Sequence, residues 1–264
     1  MRRTWVRIAL AGMLGLALTP AWGYRCKAEA ERSGAMDAVD VTTVEIFALA
    51  GDLQVRGDTE TTRVEAEGQA CVSREDMLPA IDITVRRVED RIQVLAEMPD
   101  ISGETNRRWK DELAIMDLSI RLPAGVAVIV HDSSGDMRIR DVASLEVSDS
   151  SGEIDIEDVA GDVLVPRDSS GDISMSRVGA VTIQVDSSGE IRIQDAAAVT
   201  IANDTSGDIV LDDVAGDVLI GNDSSGRIAV RGVGGSFVVE NDTSGGIRYS
   251  NVQGSVSVPD QRQP

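Results

Sequence analysis

The chain has 264 residues, a formal net charge of −20, two cysteines and one histidine. So acidic a surface offers no basic face to phosphates, which excludes nucleic acid as a partner and disfavours adsorption to an anionic membrane. With His131 as the sole histidine, His-rich metal centres and Ser-His-Asp triads have almost nothing to work with.

In chain order, residues 1–23 have the pattern of a cleaved secretory signal peptide. Arg2, Arg3 and Arg7 form a positive start, Ile8 to Leu18 an apolar stretch, and Ala21-Trp22-Gly23 a cleavage site with small residues. The apolar stretch is short for a membrane span, and no later segment approaches the roughly 18 apolar residues that one requires. The expectation is therefore export to the periplasm or cell surface, with no span in the mature chain. Export places Cys26 and Cys71 in an oxidising compartment, where they are expected to pair and tie the mature N-terminus to the first β segment. Two isolated thiols are the alternative.

Residues 24–130 read as irregular β coils. Strands are expected near 44–48, 62–67, 81–87, 91–96, 115–121 and 125–130, from alternations such as Ile81, Ile83, Val85 and Ile92, Val94. Ala50-Gly51-Asp52-Leu53-Gln54-Val55 adds a further strand start. Residues 99–113 break the pattern with polar and turn residues and contain Trp109, the only mature tryptophan. That segment is expected to protrude.

From residue 131 to 258 the chain is a repeat. Seven copies of Asp-(Ser/Thr)-Ser-Gly begin at Asp132, Asp149, Asp168, Asp186, Asp204, Asp223 and Asp242, spaced by 17, 19, 18, 18, 19 and 19 residues. After each Asp, apolar residues alternate with a period of two, first as pairs such as Ile191/Ile193. A small-residue corner follows, and then a second pair such as Val199/Ile201. One such unit buries too little to stand alone, but stacked units pair strands above and below and align their inward residues into continuous ladders. The fold class is therefore all-β, a single-stranded β-solenoid with coils of about 18 residues. At about 4.8 Å per coil the seven copies rise roughly 30 Å. A helix is disfavoured by the recurring Gly and β-branched residues, and a propeller blade needs about twice this period. Residues 259–264 are expected to be a disordered tail.

The run Leu118-Ser119-Ile120-Arg121-Leu122-Pro123-Ala124-Gly125-Val126, followed by tandem Ser-Gly-Asp-Ile strands, resembles the bacterial "putative adhesin" β-strand-repeat family. The resemblance covers residues 40–258. It implies a single-stranded β-helix exported to the cell envelope, and it brings no catalytic residues with it.

The seven aspartates admit two readings. As turn formers, each carboxylate would accept N–H groups of its own turn while the Gly supplies positive φ. As a stacked acidic edge, joined by Asp136, Glu153, Asp172, Glu190 and Asp208, they would form an oxygen-rich site suited to Ca²⁺. That is the one ion expected, and no other cofactor is. Catalysis has less support, because a ladder gives every carboxylate nearly the same environment, whereas acid–base pairs need split ones. Phe237 and Tyr249 fall on inward positions, and His131 on the flank of a strand. Function is thus expected to lie in presenting a surface to an envelope or surface partner, with Trp109 as the first candidate contact and the cation module as the alternative.

Overall fold

The computed structural model describes residues 26–101 and 112–259. Residues 1–23, expected to be a signal peptide, Trp109 and residues 260–264 lie outside the described residues. The strands are β1 (Ala28–Asp37), β2 (Thr43–Phe47), β3 (Leu53–Asp58), β4 (Arg63–Val72), β5 (Asp82–Val88), β6 (Arg91–Glu97) and β7 (Ala114–Pro123). They continue as β8 (Ala127–His131), β9 (Met137–Arg140), β10 (Ser144–Ser148), β11 (Ile154–Val159), β12 (Val163–Arg167), β13 (Ile173–Ile183) and β14 (Ile191–Asp204). The last are β15 (Ile209–Val214), β16 (Val218–Asp223), β17 (Gly226–Val233), β18 (Phe237–Asp242), β19 (Gly245–Val252) and β20 (Val256–Ser257). Among the described residues a single 3-10 turn, η1 (Glu75–Ala80), interrupts them.

The repeat stacks as its spacing requires, with every pairing between successive coils parallel. Ile173, Ile191, Ile209, Ile228 and Ile247 lie in one register line, and Val181, Val199, Val218 and Phe237 in another. Each coil thus contributes one strand to each of two walls. The inward side chains fill the space between them, with Ile191, Ile193, Ile201, Ile209 and Ile220 wholly buried. Removing such a side chain leaves a cavity that the coils above and below cannot close, so Ile191→Ala should cost about 2–4 kcal/mol. Ser187→Ala removes only an outer hydroxyl and keeps the Ser187 carbonyl, which accepts the Ser206 hydroxyl at 3.1 Å. It should cost under about 1 kcal/mol. Chemical denaturation of both variants checks the assignment of faces, and equal losses would refute it.

The N-terminal part extends the same column out of chain order. The β2–β3 coil lies directly under β8–β9, with Val44 opposite Val128 and Leu53 opposite Met137. The chain then leaves, returns as β6 and β7 beneath β2 and β3, and only afterwards resumes the stack at β8. Between these passes, β4 pairs antiparallel with β7 and with β1, and β5 antiparallel with β6. Strands β1 and β5 therefore close the lower end of the column. Strand β1 carries almost no hydrophobic signal, since its inward face is Ala28, Ala30, Arg32, Gly34 and Met36. It is held by backbone pairing, by close approach at Gly34, where an added Cβ would meet Val85 Cγ2 at 2.7 Å, and by Arg32. Its guanidinium donates to the carbonyls of Ile81 and Leu78 at 2.7 and 2.8 Å, pinning η1 to the cap.

The Cys26–Cys71 disulfide fastens this cap, with Cα atoms 5.3 Å apart. Closing a 45-residue separation stabilises by about 3–4 kcal/mol on chain-entropy grounds. Among the described residues no helix is long and apolar enough to cross a membrane.

Candidate interaction surface and the aspartate column

The Asp-(Ser/Thr)-Ser-Gly turn joins one wall to the other, and each of its four positions makes a distinct ladder. The third residue is always Ser. Its hydroxyl donates to the carbonyl of the second residue one coil below, as Ser170 to Ser150, Ser188 to Ser169 and Ser225 to Thr205, at 3.2–3.3 Å. The glycines hold φ between +125° and +146°, a region open to Gly and costly for other residues. The residue after Gly accepts, through its side chain, the N–H of its counterpart one coil above. Asp136 Oδ1 takes the Glu153 N–H at 3.1 Å, Asp172 the Glu190 N–H at 2.8 Å and Asp208 the Arg227 N–H at 2.9 Å. The same ladder runs down through Asp52 and Asp117 into the N-terminal coils.

The leading aspartates stack in register, Asp168 on Asp186 on Asp204 on Asp223 on Asp242. They do not lie along an outer acidic edge, the second of the two readings that the sequence admits. Asp132, Asp149, Asp168, Asp186, Asp204 and Asp223 are buried inside the turn, Asp168 and Asp186 completely. The twelve carboxylates are split into a buried column and an exposed one, because the turn directs its first side chain inward and the residue after Gly outward. At Asp149 one oxygen caps the turn, Oδ1 accepting the Ser150 N–H at 2.7 Å, while Oδ2 has no such partner. At Asp168, Asp186, Asp204 and Asp223 neither carboxylate oxygen lies in hydrogen-bonding geometry. Burial, followed by the charge of neighbouring aspartates, pushes Asp132, Asp168 and Asp204 up to about 7. Asp186 and Asp223 rise to about 6 from the same two causes. Burial raises Asp149 as well.

The second corner, expected from the small residues between the two apolar pairs, has a recurring backbone of its own. Asp141, Asp158, Arg177, Asp195, Asp213 and Asn251 all adopt φ of 55–60°, each just before an inward Val or Ala. Asp and Asn tolerate this left-handed region better than most side chains, and Asp precedes the inward residue in four of the copies, at Asp141, Asp158, Asp195 and Asp213. Outside the walls, arginines bridge successive coils, as Arg177 to Asp158 at 2.6 Å and Arg231 to Asp212 at 2.9 Å. Such exposed pairs contribute little to stability, but they dress the column with alternating charge.

Phe237 is buried as expected, whereas Tyr249 is 49% exposed. It packs on Phe237 with ring centroids 5.8 Å apart, in the uppermost of the described coils. His131 lies on the flank of β8, stacked on Phe47 at 4.9 Å and 3.5 Å from Glu45 Oε1. Glu112 and Leu113, which follow the segment that contains Trp109, are held firmly. Ser73 Oγ donates to Glu112 Oε2 at 2.6 Å and accepts the Leu113 N–H at 2.9 Å. Arg74 also faces Glu112, at 3.7 Å. Over the outer face of β1, β4, β7 and β3 lies a shallow polar depression of about 830 Å³, lined in part by Arg32, Gln54, Gln69 and Ser119. Among the described residues no three or more His, Cys, Asp or Glu side chains are placed to hold a metal ion.

Two walls of parallel strands, in-register ladders and an antiparallel lower cap define a β-solenoid repeat protein. No family model matches the chain, and no curated protein does. Among solved structures it is similar to a "putative cell adhesion protein" of Clostridium sporogenes, at 12% identity and a TM-score of 0.40, over 88% of this chain and 99% of that one. It is similar as well to a "putative adhesin" of Bacteroides fragilis, at 14% identity and a TM-score of 0.37, over 88% and 98% of the two chains. A "Putative lipid binding protein" of Parabacteroides distasonis matches at 14% identity and a TM-score of 0.29, over 87% and 97%.

Proposed function

We propose that the protein is exported and acts by presenting its surface to an envelope or cell-surface partner, without turning over a substrate. The observation that supports this reading is the unbroken stack from Asp132 to Ser257. Each coil repeats the same turn at nearly the same spacing, and between Asp132 and Ser257 no insertion departs from the column to form a cleft. Repetition of this kind suits avid contact with an extended partner. The segment between Ile101 and Glu112 is the exception to the repeat, and its base is latched to β4 through Ser73. It is therefore the place where one specific contact can be built without disturbing the stack, with Trp109 as the aromatic anchor. Ca²⁺ uptake by the aspartates would require carboxylates converging on one point, and the split into a buried and an exposed column works against it.

Replacing residues 102–111 by a short Gly-Ser linker tests the reading. The melting transition should stay within a few degrees of the wild type, while retention on immobilised envelope fraction falls at least about tenfold, roughly 1.4 kcal/mol. Unchanged retention would move the contact to the repeat face. Loss of folding would make the segment part of the cap.

A further inference from the structure

We propose that the upper end of the column, formed by β19 and β20, is a self-association surface at which two copies of this chain meet tail to tail. The two ends of the solenoid are built differently. The lower end is covered by β1, β5 and η1, and its edge strands carry charge at Glu29, Glu31, Asp82, Arg86 and Arg87, the usual protection of a free β edge. At the upper end, among the described residues, β19 pairs only with β17 and β20 only with β18, so one row of backbone donors and acceptors on each strand faces outward. The side chains that are buried in lower coils surface here. Tyr249 is 49% and Val256 37% exposed, whereas Val230 and Phe237 directly beneath them are 3% and 0% exposed.

Charge points to the occupant. A chain at −20 repels its own copies over most of its surface. Residues 205–223 carry Asp208, Asp212, Asp213, Asp217 and Asp223, residues 224–242 carry Arg227, Arg231, Glu240 and Asp242, and residues 243–259 carry one charged side chain, Arg248. Gly246 stands where the first five copies have Asp or Glu and the sixth has Arg227, and Asn251 where four of the lower coils have Asp. Acidity is thus removed at the one end whose strand edges and apolar side chains are open, and depletion of charge with an exposed aromatic is the composition of an interface core. A second copy offers the same free edges and the same neutral coil, and a two-fold axis makes such a patch self-complementary. Stacking head to tail would instead bring this neutral end against the charged, closed cap, so the assembly stops at two.

The test is the oligomeric state of the protein lacking residues 1–23, by sedimentation equilibrium over a hundredfold concentration range. A dimer is expected, and Tyr249→Glu should raise its dissociation constant at least about tenfold while leaving the circular dichroism and melting of the solenoid unchanged. Because both native cysteines are in the disulfide, Ser250→Cys with a short bis-maleimide should give a covalent dimer and nothing larger. A monomer at every concentration overturns the proposal, as does a dimer indifferent to Tyr249→Glu or a ladder of higher species. Removal of residues 260–264 should leave the dimer intact. If that removal creates a dimer from a monomeric chain, the tail is the natural occupant and the proposal fails.

Discussion

Raising the pH from 5 to 8 should lower the melting temperature of the folded chain by on the order of 10 °C, and Asp→Asn substitutions in the buried column should abolish most of that fall. In the unfolded chain an aspartate releases its proton near pH 4. In the column, Asp132, Asp168 and Asp204 hold theirs to about 7, and Asp186 and Asp223 to about 6. Between those values the folded chain binds more protons than the unfolded one, so each rise in pH favours unfolding. The stabilisation is complete below about pH 4 and is lost as the pH passes through 6 to 7. One unit of such a shift corresponds to about 1.4 kcal/mol, and several linked groups give several kcal/mol. For a domain of this size each kcal/mol moves the midpoint by roughly 2–4 °C. The groups facing the column are other carboxylates, with Asp52 beside Asp132 and Asp208 beside Asp223, so ionisation gains no cationic partner. Asp58, Asp158 and Asp208 are held below the usual carboxylate range by hydrogen bonds from backbone N–H groups and arginines. They act in the opposite sense, but only below about pH 4, outside the window compared. Asn at 168, 186 and 204 keeps the shape and removes the charge, so the triple variant should melt higher than the wild type at pH 8 and match it near pH 5. A wild-type midpoint indifferent to pH, or an equal slope in the triple variant, would show that the column is hydrated and ionised throughout.

The repeat was legible because its signals are redundant. At Ile173, Ile191 and Ile209, for example, period-two alternation, a preceding Gly and a fixed distance from Asp all agree, and the structure places these residues in one line. The burial of the aspartates was not legible. A turn-forming Asp and an edge-forming Asp have the same spacing, and only the direction of the side chain, fixed by the turn backbone, separates them. The lower cap was hidden for a different reason. Strand β1 buries Ala, Gly and the stem of Arg32, so its position is set by pairing with β4 and not by a hydrophobic pattern of its own. The return of β6 and β7 beneath β2 and β3 is likewise invisible to local sequence, since each strand alternates normally whichever neighbour it meets. The exposure of Tyr249 followed from its place in the last coil, a fact of position that its own alternation does not encode.

Replacing Gly189 by Ala should destabilise the solenoid by more than about 4 kcal/mol, enough to abolish a cooperative melt or the soluble yield. Gly246→Ala, in the same type of coil, should change stability by less than about 1 kcal/mol. Gly189 adopts φ of +132°, and a Cβ built there would lie 1.8 Å from the Gly171 carbonyl oxygen and 2.6 Å from its carbon. Both are backbone atoms, so no rotamer change relieves the clash. The coil would have to lift away from its neighbour at the point where the Gly171 N–H donates to Ser188 O and the Gly189 N–H to Ser206 O, both at 3.2 Å. The same contact recurs at Gly152, Gly171, Gly207, Gly226 and Gly245, each facing the glycine one coil below at 1.6–1.9 Å. A side chain at any level therefore breaks the vertical spacing that aligns the serine, aspartate and apolar ladders together. At Gly246 an added Cβ meets nothing within 4 Å, and φ lies outside the positive region, so Ala there only restricts the unfolded chain. Thermal unfolding of the two variants, followed by circular dichroism, separates a glycine required by the stack from one that is not. Comparable midpoints would mean that the coils can part at the turn without cost, and the glycine column would then have no part in setting their spacing.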